Sequence, residues 1–433
     1  VIWNEKYESM APDARAQVQL ERLQATLNRA LRNVSFYRES FAGAGVNGDE
    51  IRNLGDLARL PFTTREDLRT SYPYGMFAVP LRDIVRIQST SGTTGTPVVV
   101  GYTRNDLRTW SECVARLLAA GGLEEHDVMQ VAFTYGLFSG GFGLHAGAER
   151  LGASVIPAST GGLQRQVRIM KDFKSTALAC TPSYAMAIAA TVGEMGLSPG
   201  DLFLRAGFFG AEPWSEGLRT RLESSLGVTA LDNYGLTEVL GPGVAFECEQ
   251  KNGLHVNEDC FLAEIVDPRS LEVLPSGAEG ELVLTTITKE GFPLIRYRTG
   301  DLCSLHGEPC ACGRTLTRMS RIQGRIDDMI IMGALKVFPS QIEQVILDVQ
   351  GLQPHYEIIV DRIAGIDALE IRVEISEDMQ VDEMKKLEDL RTRIARDMAA
   401  RLDLPARVTL VEPRAIARSE GGKTRRVVDK RQL

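Results

Sequence analysis

Between about residues 106 and 232, segments with helical apolar spacing alternate with short apolar strand candidates at 128–133, 154–157, 177–180 and 204–209. That alternation constrains the fold more than any other feature of the chain. Successive strands separated by helix-length segments cannot form hairpins, so they pair in parallel through βαβ crossovers. A tract of 433 residues also exceeds what one core usually organises, so a second unit is expected. The remaining pattern supplies it. Residues 261–288 read as short strands with Pro/Gly turns, a small β subdomain. From about Gly324 onward, strand candidates at 356–361, 369–375 and 408–411 surround helical segments at 340–348 and 383–402. Residues 15–34 read as an amphipathic N-terminal helix. The expected architecture is α/β, with a large N-terminal domain (1–326) of parallel-rich sheets, helices and a small β subdomain. A small, mobile α+β C-terminal domain (327–433) follows.

Charge and cysteine usage exclude several function classes. The formal net charge is -8, and no dense Lys/Arg block precedes the last few residues, so neither nucleic acid nor an anionic membrane is the expected partner. No apolar run approaches the ~18 residues of a membrane span, and no signal-peptide pattern opens the chain. Seven cysteines, unevenly spaced, do not form a disulfide framework and point to a cytoplasmic protein with thiolate or metal chemistry.

The chemistry sits in loops. Thr90-Ser91-Gly92-Thr93-Thr94-Gly95-Thr96-Pro97 joins two β-branched runs, Ile84-Val85 and Val98-Val99-Val100, that read as strands. Its glycines can turn successive N–H groups toward one point while hydroxyls add donors, a nest for polyphosphate oxygens. It lacks the lysine and spacing of a Walker A loop. Further along come Tyr234-Gly235-Leu236-Thr237-Glu238 after a strand placed at 228–231, Tyr297-Arg298-Thr299-Gly300-Asp301, and Gly324-Arg325-Ile326-Asp327-Asp328. The last is Arg418-Ser419-Glu420-Gly421-Gly422-Lys423. Each alone is ordinary: a turn, an ion pair, a frayed tail. Their joint presence in this order is not.

The set resembles the adenylate-forming superfamily, and within it the phenylacetate–CoA ligase family. Phe36-Tyr37-Arg38, Thr181-Pro182-Ser183-Tyr184, Gly210-Ala211-Glu212-Pro213-Trp214 and Val428-Asp429-Lys430-Arg431 extend the likeness along essentially the whole chain. The resemblance implies ATP, Mg2+ and coenzyme A as cofactor and co-substrates, and an aromatic carboxylic acid as the other substrate. It assigns Ser91, Gly92, Thr93, Thr94 and Gly95 to the phosphates, and Ala211, Glu212, Pro213, Asp232, Tyr234 and Gly235 to the nucleotide. Asp301 would take the ribose hydroxyls and Arg325 ribose or phosphate. Thr237 would bond the α-phosphate, Glu238 would hold Mg2+, and Lys423 would reach the carboxylate and α-phosphate during adenylation. Asp327 would be the hinge. Tyr135 and Phe142, closed by the Gly210 and Gly235 backbones, are the candidate aryl pocket.

The chain departs from the family pattern twice. Thr96 and Val98 stand where lysine is common, and Gly333-Ala334-Leu335-Lys336-Val337 replaces the usual loop facing the site during thioester formation. The second departure keeps a rival reading in play: an acid–AMP ligase that passes its acyl group to a carrier protein. A non-catalytic relative is disfavoured by the joint presence of Glu238, Asp301, Arg325 and Lys423. Separately, Cys248, His255, Cys310 and Cys312 are a candidate closed structural zinc site, with Cys260 and Cys303 as substitutes. The expected partners are small molecules, with a homodimer as the candidate assembly.

Overall fold

The computed structural model describes residues 1–90, 96–332, 335–349, 352–363, 366–376, 384–416 and 426–431. Its main sheet has nine strands. Five run parallel in the spatial order Ser154–Ile156, Val128–Val131, Ala177–Cys180, Ala206–Gly210 and Thr229–Leu236. The alternation in the sequence therefore yields the expected parallel core. Beyond Thr229–Leu236 the sheet turns antiparallel, through Gly241–Glu247, Leu254–Val256, Arg318–Met319 and Leu305–His306. Helices Arg104–Ala120 and Gly140–Leu151 pack together on the antiparallel strand Gly241–Glu247. The close approach needs glycine: a Cβ on Gly147 would lie 2.3 Å from a Val114 methyl.

The β subdomain is a four-stranded antiparallel sheet of Phe261–Val266, Gly280–Thr286, Tyr297–Cys303 and Gly324–Arg325. The N-terminal helix is Pro12–Asn33; its Leu23, Leu27 and Ala30 are buried, as the apolar stripe requires.

Past the Gly-Arg-Ile-Asp segment a separate apolar cluster forms, with Ile330, Ile342, Ile358, Ile371, Ile394 and Val408 among its members. Strands Leu352–Ile363 and Ile366–Ile375 pair antiparallel and are flanked in parallel by Val427–Asp429 and Arg407–Val411. Helices Pro339–Leu347 and Met384–Leu402 pack beside them. Two local expectations shift. The first β-branched run does not begin the strand at Ile84; a 3-10 turn at Leu81–Asp83 delays it to Arg86–Ser89. The strand placed at 228–231 runs on to Leu236, so Tyr234 and Gly235 are strand residues rather than loop residues.

Candidate active site

Thr229–Leu236 lies where the sheet changes from parallel to antiparallel, and its carboxyl end opens onto the site. Such an end is where α/β sheets bind ligands, because neighbouring chains diverge there. The register shifts between Tyr234 and Gly235, which brings Gly235 against Gly241; a Cβ at 235 would sit 1.8 Å from the Gly241 carbonyl oxygen. Only glycine fits. The turn that follows carries Thr237 and Glu238, both buried.

From the β subdomain, Asp301 faces this strand. The Tyr234 hydroxyl donates to Asp301 Oδ2 at 2.6 Å, and Arg325 Nη1 lies 3.2 Å from Oδ1. Register explains the second contact, because Asp301 and Arg325 are direct cross-strand partners. Tyr234, Asp301 and Arg325, far apart in sequence, thus form one polar group. Beside them, Ala211 adopts φ 71°, a left-handed conformation uncommon outside glycine. Glu212 accepts from the Ser183 N–H at 2.7 Å, at the start of helix Pro182–Glu194, so this turn is anchored on the parallel sheet. Glu212, Pro213, Arg325 and Asp327 share a cavity of about 350 Å³ with Glu343 and Arg426. Asp327 is exposed at its edge. Asp232 stands slightly apart: burial pushes its carboxyl up to about 6, opposed by Arg321 at 3.2 Å and reinforced by Glu247.

Sequence reasoning missed three residues here. Ser139 Oγ lies 2.9 Å from Thr237 Oγ1, tying the start of helix Gly140–Leu151 to the turn. Arg65 Nη2 lies 3.5 Å from Glu238 Oε1. Lys289 is buried and donates to the Glu238 and Val239 carbonyls at 3.2 and 2.7 Å, with its ammonium over the Tyr102 and Phe292 rings. Burial brings its pKa down to about 7, although Asp106 and Glu238 oppose the shift. Arg65 and Lys289 stand in no motif, so only their positions reveal them.

Tyr135 and Phe142 meet edge-to-face at 5.3 Å. The Tyr135 hydroxyl lies 3.2 Å from His145 Nδ1, and Arg86 sits over the Phe142 ring at 5.0 Å. This segment reaches the Thr237 turn through Ser139. Gly210 ends its strand against Asn233, whose carbonyl oxygen would be 2.4 Å from a Cβ there. The stem of the Ser/Thr/Gly loop is closed by two contacts: the Thr90 N–H donates to the Val98 carbonyl, and the Val98 N–H to Thr90 Oγ1, each at 3.0 Å. Ser91, Gly92, Thr93, Thr94, Gly95 and Lys423 lie outside the described residues.

Away from this site, the structure brings together Cys248, His255, Cys310 and Cys312, with all four donor atoms within 4.8 Å of one another. Cys248 and Cys310 sulfurs are 3.9 Å apart, and Cys312 Sγ is 3.5 Å from His255 Nε2. A tetrahedron with Zn–S near 2.3 Å has edges of about 3.8 Å, so the four donors fit one ion, and the sulfurs are too far apart for a disulfide. Burial, with Arg314 and Arg318 nearby, brings His255 down to about 3, leaving the neutral imidazole that a metal needs. The substitutes fall elsewhere. Cys260 faces Cys113 at 3.6 Å, and Cys303 is buried in the strand that carries Asp301.

Two family models match the chain, the AMP-binding enzyme over residues 43–288 and the AMP-binding enzyme C-terminal domain over 334–431. Phenylacetate–coenzyme A ligases of Thermus thermophilus and Escherichia coli are each 44% identical to it. The first alignment covers 100% of both chains, the second 98% of this chain and 97% of the relative. The chain belongs to the phenylacetate–coenzyme A ligase family. Among solved structures, 2-hydroxyisobutyryl-CoA ligase in its postadenylation state, bound to 2-HIB-AMP, matches with a TM-score of 0.94 at 31% identity. That match covers 100% of this chain and 93% of the other. The same enzyme in its thioesterification state matches at 0.74, with the same coverage. The chain thus resembles that enzyme's postadenylation structure more than its thioesterification structure.

Proposed function

We propose that the protein joins an aromatic carboxylic acid, of the phenylacetate type, to coenzyme A by way of an acyl-adenylate. The observation that carries the reading is the Tyr234–Asp301–Arg325 group at the end of the parallel sheet, beside Thr237 and Glu238, in a chain related over its full length to phenylacetate–CoA ligases. In this reading the adenine stacks between Tyr234 and the Ala211-Glu212-Pro213 turn. The ribose hydroxyls displace the Tyr234 hydroxyl and Arg325 from Asp301. Ser91, Gly92, Thr93, Thr94 and Gly95 wrap the phosphates, and Thr237 holds the α-phosphate. The carboxylate attacks the α-phosphorus and pyrophosphate leaves. Glu238 would hold Mg2+, whose charge offsets that of the phosphates. Lys423 supplies a second positive charge at the point of attack. The CoA thiolate then attacks the acyl carbonyl and AMP leaves, with no protein nucleophile required.

Tyr135 and Phe142 present ring surface toward the acid, and the half-buried phenol next to His145 limits how long that acid can be. CoA is favoured over a carrier protein because the curated relatives and the structural neighbours at 31% identity are CoA ligases. The domain division at residues 326 and 327, with Asp327 as hinge, belongs to the same reading, as does a structural zinc ion on Cys248, His255, Cys310 and Cys312. The test is a panel of aryl and aliphatic acids assayed first for ATP-dependent pyrophosphate release, then for CoA thioester. Aryl acids should give both products. Pyrophosphate release without thioester would move the acceptor from CoA to another thiol, and preference for aliphatic acids would overturn the aryl pocket.

A further inference from the structure

Helix Pro339–Leu347 of the small domain ends against helix Glu216–Leu226 of the large domain. Leu347 does not join the small domain's own core. It is 7% exposed and packs in the large-domain cluster that contains Phe209, Leu218 and Leu222. Gly217 lies directly beside it: a Cβ there would be in ordinary contact with Leu347 Cβ, 3.4 Å away. One turn along, half-buried Arg221 donates to the carbonyls of Leu347 at 3.3 Å and Leu352 at 3.1 Å. The Leu347 carbonyl lies at the helix C-terminus, where backbone acceptors lack intrahelical partners and a cation is favoured, and the Leu352 carbonyl begins the strand that follows. An apolar plug and a charged cap on one short stretch form a contact between the two domains. The placement follows the postadenylation structure at a TM-score of 0.94 and the thioesterification structure at 0.74.

We infer that Arg221 and Leu347 form a latch holding the small domain in the arrangement that the related ligase shows with a bound acyl-adenylate, and that Arg221 is a positioning residue for adenylation and not for thioester formation. The inference rests on the proposed two-step ligase reaction. Breaking the latch lowers the population of one arrangement, so it slows one half-reaction selectively.

The 3.4 Å spacing at Gly217 and Leu347 approaches the Cβ separation of a disulfide, so Gly217→Cys/Leu347→Cys can trap the arrangement. On mild oxidation the double variant should crosslink, with each single variant as control. The crosslinked protein should keep ATP–pyrophosphate exchange and lose thioester formation from prepared acyl-adenylate and CoA, and reductant should restore it. Adding Arg221→Met should slow crosslinking about tenfold, the effect of losing about one charge-assisted hydrogen bond. In the native-cysteine background, Arg221→Met should lower exchange by a similar factor and leave thioester formation from prepared adenylate unchanged. Crosslinking at an unchanged rate, thioester formation by the locked form, or equal loss in both half-reactions would each overturn the latch. Crosslinking kinetics need no substrate, so they decide the Arg221 half of the latch even if wild-type protein proves inactive with every aryl acid, an outcome that sinks the functional reading instead.

Discussion

Glu238 shows how much one side chain's role depends on its neighbours. A buried carboxylate with Arg65 3.5 Å away is an ion pair at rest, and under the proposed reaction it would become a hard-cation ligand once Mg2+ replaces the guanidinium. Glu238→Gln keeps the shape and removes the charge. Pyrophosphate exchange should fall on the order of tenfold or more and the Mg2+ half-saturation should rise; an unchanged Mg2+ dependence would take Glu238 off the metal. Lys289, under the same turn, offers a pH test. The folded protein releases its proton at about 7, while the unfolded chain holds it to the ordinary 10.5. In that window the unfolded state binds more protons, so folding stability rises with pH. The stability of wild type relative to Lys289→Met should therefore climb by up to ~1.4 kcal/mol per pH unit above pH 7 and level off below it, as read by denaturant melts across the range. A flat difference would mean that the ammonium is not desolvated as its position requires.

At the scale of elements, the strand Thr229–Leu236 and its return Gly241–Glu247 set the site. Gly235→Ala would push a methyl onto the Gly241 carbonyl, and overpacking of this kind costs about 1–3 kcal/mol or more. A lowered denaturation midpoint together with weakened ATP binding is expected; native stability would show that the two strands can part. The Cys/His cluster ties Leu254–Val256 to the turn at 310–313, joined across strands by the Arg318–His255 pairing. Protein purified without added metal should contain about one zinc by elemental analysis. Cys310→Ser/Cys312→Ser should lose that zinc and melt roughly 5 °C lower with acid preference unchanged. Wild type free of zinc, or a variant retaining it, would reject the site. The helices and strands themselves were largely legible because apolar period reports burial. The extension of Thr229–Leu236 into the motif was not, because Tyr, Gly and Leu read equally as turn and strand until Gly241–Glu247 pairs with them. The start of the Arg86–Ser89 strand was misplaced for a related reason: β-branched residues at 84 and 85 suit a strand, but a tight turn precedes them.

For the whole molecule, the central expectation concerns Lys423. If one small domain serves both half-reactions, Lys423→Ala should reduce adenylation by roughly a hundredfold or more. Thioester formation from preformed adenylate should be spared; equal loss in both steps with an intact fold would contradict alternation. No described helix is long and apolar enough to cross a membrane. The sequence by itself determined the parallel core, the two-part plan and the order of the nucleotide motifs, because periodicity and short motifs are local properties of the chain. It also named the four Cys/His residues, whose donor types speak for a metal before any distance is known. Only the tertiary structure decided which distant residues meet. Arg65 and Lys289 reach Glu238, Ser139 reaches Thr237, and Leu347 packs in the apolar cluster that contains Phe209 and Leu222. None of these carries a motif, since each acts through long-range packing, and packing between elements far apart in sequence leaves no periodic trace along the chain.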